Sequence, residues 1–171
     1  FLMMKNLSII ILLLLGTVFF SCQTANPEWK QDSSKPEYLH NTLQTITDVI
    51  VHDIFSPPVA SRIYTYSNIA AYEAMVPGNP GYQSLAGQLN GLEPTPQPEA
   101  GKEYCYPLAG AKAMVVVGKK LIFSEEKIDE YEAKLMADFQ KINMPKDVYE
   151  RSLAYGEAVA AHILAWADKD N

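Results

Sequence analysis

Residues 56–76 read Ser56-Pro57-Pro58-Val59-Ala60-Ser61-Arg62-Ile63-Tyr64-Thr65-Tyr66-Ser67-Asn68-Ile69-Ala70-Ala71-Tyr72-Glu73-Ala74-Met75-Val76. This stretch predicts a helix with defined ends. Ser56 is a capping residue type, and two prolines are tolerated in a first turn, where their missing N–H groups would be unpaired anyway. Pro77-Gly78-Asn79-Pro80-Gly81 stops the helix abruptly. In between, Val59, Ile63, Tyr66, Ala70 and Glu73 recur at helical spacing, with Ile69, Tyr72 and Met75 beside them. Apolar residues nearly surround the axis, so this helix is expected to be largely buried. A buried helix requires other elements around it, and the flanking sequence supplies them.

Upstream, Leu39, Leu43, Ile46, Ile50 and Ile54 are spaced by four, three, four and four, which is one helical face. Pro36 suits the first position of that helix. Downstream, residues 77–106 read as a long loop centred on Glu93-Pro94-Thr95-Pro96-Gln97-Pro98, with a short helical turn at Leu85 and Leu89. A third helix is expected over about 107–123, where Ala109, Ala111, Ala113 and Gly118 permit close helix approach. Ser124 is expected to cap a fourth helix, with Glu125 and Glu126 placed well against its N-terminal dipole and a face of Ile128, Tyr131, Leu135, Phe139 and Ile142. Asn143 and Pro145 open a fifth, lined by Val148, Ser152, Tyr155, Val159, His162, Ile163 and Trp166. The reading is all-α, about five helices in a bundle.

The first 22 residues have a different character. Lys5 gives a positive start, residues 7–20 are apolar, and Ser21 precedes Cys22. This is the pattern of a bacterial export signal ending in a cysteine that accepts lipid. This largely apolar region of fourteen residues falls short of the roughly 20 that span a bilayer as a helix. The expected organisation is a signal over 1–22 with Cys22 lipidated, a polar tether over 23–35, and a helical domain over 36–171. The expected location is the cell envelope, with the membrane reached through the lipid anchor. With Cys22 so used, Cys105 has no intrachain partner. The chain has 20 acidic and 14 basic residues, a formal net charge of −6, which makes nucleic acid an unsuitable partner.

Candidate chemistry is sparse. Glu37-Tyr38-Leu39-His40 has the Glu-x-x-His spacing of di-iron bundles, but no second such pair exists. Asp48 and His52 share a helix face, as a metal half-site or an acid–base pair would, or as a simple hydrogen bond near a helix C-terminus. Arg62 stands in an apolar helix and is expected to pair with a buried carboxylate such as Glu73 or Asp53, with anion binding as the other reading. Asp48, His52, Arg62 and Glu73 are therefore the polar cluster to locate. There is no phosphate loop, Gly-x-Ser-x-Gly, Cys-x-x-Cys or His-Glu-x-x-His.

The stretch from Ser56 to Ala74 resembles a segment near the N-terminus of bacterial vanadium-dependent haloperoxidase-like proteins, within the type 2 phosphatidic acid phosphatase superfamily. Tyr155-Gly156-Glu157-Ala158-Val159-Ala160 resembles the helix preceding that family's catalytic half. The resemblance covers about residues 36–171 and implies an all-α fold. It also implies a pocket of Lys, Arg, Ser-Gly-His, Arg and His that holds vanadate for halide oxidation, or phosphate for phosphoester cleavage. This sequence has no Ser-Gly-His, no Arg-Pro and no histidine after a glycine, so no catalytic position carries over. The expectation is the N-terminal helical half of a longer enzyme, with no cofactor of its own, inactive alone, and partnered by a catalytic half outside this chain. Two rival readings are a self-contained envelope lipoprotein that binds a partner through residues 77–106, and a metal-binding bundle using Asp48, His52 and Glu73.

Overall fold

The computed structural model describes residues 25–170. The export signal and Cys22 lie outside the described residues, as does Asn171. Among the described residues six α-helices follow in order: α1 Trp29–Ser33, α2 Glu37–His52, α3 Pro57–Met75, α4 Tyr106–Lys120, α5 Glu125–Lys141 and α6 Lys146–Ala167. A 3-10 turn, Val76–Gly78, closes α3. The all-α bundle and its five long helices agree with the sequence reading. No strand forms among the described residues.

The short α1 corrects the tether expected over 23–35. Trp29 is only 6% exposed and belongs to the core, and Ser33 is buried beside Cys105. The Asn26 amide donates to the Asn143 carbonyl at 2.8 Å, and Lys30 pairs with Glu103 at 2.5 Å. The surrounding residues are polar, but one indole buries enough apolar area to fix a single turn of helix.

The alanine-rich α4 is the axle. It packs against α3 and α6 most extensively, and against α2 and α5 as well. Ala109, Ala111, Ala113, Val115 and Val117 are fully enclosed. A Cβ added to Gly156 of α6 would lie 2.5 Å from the Ala109 carbonyl oxygen, so these two helices meet backbone to backbone. The small residues thus set the interhelical distance. Lys112 joins α4 to α5 and α6 by ion pairs with Glu132 at 2.6 Å and Glu157 at 3.1 Å. Burial opposes the ammonium charge there, but the two carboxylates prevail and raise the Lys112 pKa.

Helix ends depart from the sequence reading at four residues. Neither Ser56 nor Ser124 makes a side-chain cap bond. Asp53 supplies the contacts at α5 instead: its Oδ2 accepts the Phe123 and Ser124 amides at 2.9 and 3.0 Å, and its Oδ1 accepts the Ser124 hydroxyl at 2.5 Å. Ile54, expected on the buried face, lies beyond the helix and is 87% exposed with φ 56°. The Phe55 amide bonds the Ile50 carbonyl and the Ile54 amide bonds the Val51 carbonyl, the Schellman closure in which glycine normally occupies the Ile54 position. Asn143, expected to open α6, sits at φ 57° just beyond α5, where asparagine is well tolerated.

Candidate functional site

The four residues expected as a polar cluster are not brought together as one site. Asp48 is exposed and accepts a hydrogen bond from Gln44 Nε2 at 2.8 Å, not from His52. His52 is exposed at the end of α2. Glu73 is 1% exposed and serves the long loop. Its Oε1 accepts the Leu85 amide at 2.6 Å, and its Oε2 accepts the Ser84 and Thr95 hydroxyls at 2.7 and 3.2 Å. A buried carboxylate survives where its lone pairs are matched by donors, and three donors from one loop provide that. Residues 79–105 are therefore a fastened strap. Leu92, Thr95 and Tyr104 are buried along it, and the Leu89 amide bonding the Leu85 carbonyl forms the helical turn expected there.

Arg62 pairs with neither Glu73 nor Asp53. It reaches the far end of α6, where Nη2 lies 2.9 Å from Asp170 Oδ2 and donates to the Asp170 carbonyl at 2.5 Å. Tyr66 donates its hydroxyl to the same carboxylate at 2.5 Å. Burial, and then the Asp170 carboxylate, push the Tyr66 hydroxyl above its ordinary pKa, against the opposing charge of Arg62. These residues border a cleft of about 480 Å³ between α3, α6 and the strap. Trp166 stands edge-on to Tyr66 at 5.2 Å and donates its indole N–H to the Asn90 carbonyl at 3.1 Å. One helical turn earlier, His162 bonds the Glu93 carbonyl at 3.0 Å. Helical periodicity places Tyr66 and Trp166 only on core faces. Tyr66 meets Asp170 across 104 residues of chain and meets Trp166 likewise from another helix, so the grouping has no local signal.

A second concavity of about 510 Å³ is almost wholly apolar. Leu39 and Leu43 of α2 form one wall, Ala71, Tyr72 and Met75 of α3 the other, and Met114 of α4 lies at its base. Consecutive helices α2 and α3 have little mutual contact because each leans on α4, and the groove opens between them.

Neither concavity fits vanadate. A vanadate cradle needs several cations around the oxyanion and a histidine for its axial bond. The Arg62 cleft has no histidine to supply an axial bond, and its Asp170 carboxylate already engages Arg62. The groove has one exposed histidine, His40, among apolar walls. Among the described residues no three His, Cys, Asp or Glu side chains gather as metal ligands, so Asp48, His52 and Glu73 are not a metal site. Among the described residues, too, no helix is long and apolar enough to cross a membrane.

The chain matches no family model and no curated protein. Among solved structures it is similar to one described as the first bacterial vanadium-dependent iodoperoxidase, at 43% sequence identity and a TM-score of 0.73. The similarity covers 78% of this chain and 32% of that one, so the chain spans about a third of the relative's length.

Proposed function

From the premise that this chain is a vanadium haloperoxidase-like helical domain, we propose that it is the scaffold portion of a longer vanadium-dependent haloperoxidase. The oxyanion cradle then belongs to polypeptide outside this sequence. The carrying observation is the apolar groove between α2 and α3. It has the chemistry of a helix seat, walled by Leu39 and Leu43 on one side and Ala71 and Met75 on the other. The relative has about two-thirds of its length beyond the region of similarity, ample for the helix that fills such a seat. Its iodoperoxidase description favours halide oxidation by peroxide over phosphoester cleavage as the activity of the whole protein.

The scaffold role predicts no turnover by the isolated chain given vanadate, hydrogen peroxide and iodide. It also predicts an exposed apolar face that binds a fluorescent apolar dye, with Leu43→Glu and Met75→Glu weakening that binding. Iodide oxidation by the rigorously purified chain, above a heat-treated control, would refute the role. A chain that melts cooperatively and binds no dye would instead support a self-contained partner-binding module. For location, we propose export and lipidation at Cys22 in the bacterial cell envelope. Labelling cells with a radioactive fatty acid should tag the wild-type chain and leave Cys22→Ser unlabelled; equal labelling would sink this part.

A further inference from the structure

We propose that the cleft at the junction of α3, α6 and the strap binds a small anion with a flat apolar body, of the aromatic carboxylate class. Its walls are prefixed by structure independent of any ligand. The indole of Trp166 is pinned by the Asn90 carbonyl, and Gly91, at φ 72°, lies against it at 3.7 Å, measured from where a Cβ would be. Ile69 and Leu89 add apolar lining. A planar ligand body therefore meets an aromatic and aliphatic surface already held in place, which lowers the ordering cost of binding.

The charge at the rim selects the ligand's head. Arg62 is held by Asp170 through Nη2 and also bonds the Tyr66 hydroxyl. The parallel N–H pairs of a guanidinium both include the engaged Nη2, so Arg62 offers an incoming carboxylate a single charge-assisted bond rather than a bidentate grip. Lys169 lines the same cleft and has no ion pair among the described residues, while the single carboxylate, Asp170, is already engaged by Tyr66 and Arg62. One uncompensated positive charge remains beside an aromatic wall. A neutral ligand leaves it unused, and a small inorganic anion leaves the apolar wall unused.

The chain carries only two tryptophans, Trp29 in the core and Trp166 in the cleft, so its two indole N–H resonances make an internal control. Titrating the full chain with benzoate should shift the Trp166 resonance saturably in the millimolar range and leave Trp29 still. Lys169→Met should weaken benzoate about tenfold, as loss of one charge-assisted contact of roughly 1.4 kcal/mol implies. Benzyl alcohol should bind at least tenfold more weakly than benzoate, and inorganic phosphate should not move Trp166 below about 10 mM. No saturation with benzoate, equal binding by Lys169→Met, or phosphate binding as tightly as benzoate would each overturn the proposal. Lys169→Met has no ion pair to lose, so unchanged melting of that variant separates lost binding from lost folding.

Discussion

Ile54 holds a left-handed backbone that costs a β-branched residue on the order of 1–2 kcal/mol, and its side chain lies in solvent, 87% exposed. Glycine satisfies the same Schellman closure without that strain. Ile54→Gly is therefore expected to stabilise the chain by about 1 kcal/mol, read as a higher urea midpoint; a lower midpoint would show that the exposed side chain is covered in solution. Glu73 stands at the opposite extreme of burial. Glu73→Ala leaves the Leu85 amide and two hydroxyls without their acceptor and should cost roughly 3 kcal/mol, with hydrogen exchange at Leu85 accelerated. Unchanged exchange would mean the strap is held elsewhere. Asp53 gives a pH signature. Burial alone would raise its carboxyl, but the bonds from Ser124 and Phe123, with the His52 charge, hold it below the ordinary value. A carboxyl depressed in the folded state stabilises above its unfolded pKa of about 3.9, and that stabilisation fades as pH falls through the lower folded value. The melting difference between wild type and Asp53→Asn should thus be constant from about pH 5 to 8 and shrink toward zero in stronger acid. A difference that grew with acid would reverse the assignment. None of these three roles was legible locally. Ile54 fitted an apolar face, Glu73 fitted a charge partner for Arg62, and Asp53 acts on backbone 70 residues away.

The helices themselves follow from periodicity, and their spacing follows from small residues. Two glycines separate the kinds of close approach. At Gly156 an added methyl meets the Ala109 carbonyl oxygen at 2.5 Å and its Cα at 3.1 Å, atoms fixed in the backbone of the central helix. Gly156→Ala should cost about 1–3 kcal/mol by forcing α4 and α6 apart. At Gly118 the added methyl meets the end of the Ile46 side chain, which can turn aside. The gain in helix propensity, up to about 1 kcal/mol, offsets that adjustment, so Gly118→Ala should stay within about 1 kcal/mol of wild type. Thermal or chemical unfolding of the pair checks both; equal losses would show that side-chain freedom does not govern these contacts. The sequence marked Ala109, Ala111, Ala113 and Gly118 as permitting close approach, because small residues at helical spacing have few other uses in a buried helix. It did not mark Lys112, whose carboxylates come from α5 and α6. Lys112→Ala strands Glu132 in a largely enclosed position and should cost on the order of 1–3 kcal/mol, read as a lower urea midpoint. Lys112→Met keeps the stem and should lose nearly as much; a Met variant as stable as wild type would indicate that packing of the lysine stem, not its charge, is at stake.

At the scale of the molecule, α4 gathers the bundle while α2 and α3 diverge, leaving the apolar groove on one flank. A second apolar feature crowns one end, where Phe123 is 77% exposed and stacks on Phe55 at 4.7 Å beside Ile54. Both are surfaces that a larger assembly would cover, in keeping with similarity to about a third of an iodoperoxidase. The sequence by itself determined the all-α class, the five long helices and the small-residue axle, because 3.6-residue periodicity, proline breaks and side-chain volume act over a few residues. The tertiary structure alone decided which groups meet: Arg62 with Asp170, Glu73 with the strap, Trp29 with the core, and the cleft between Tyr66 and Trp166. Such pairings join residues far apart in the chain, and hydrogen-bond donors and charges take whichever partner the packing of whole helices brings within about 3 Å.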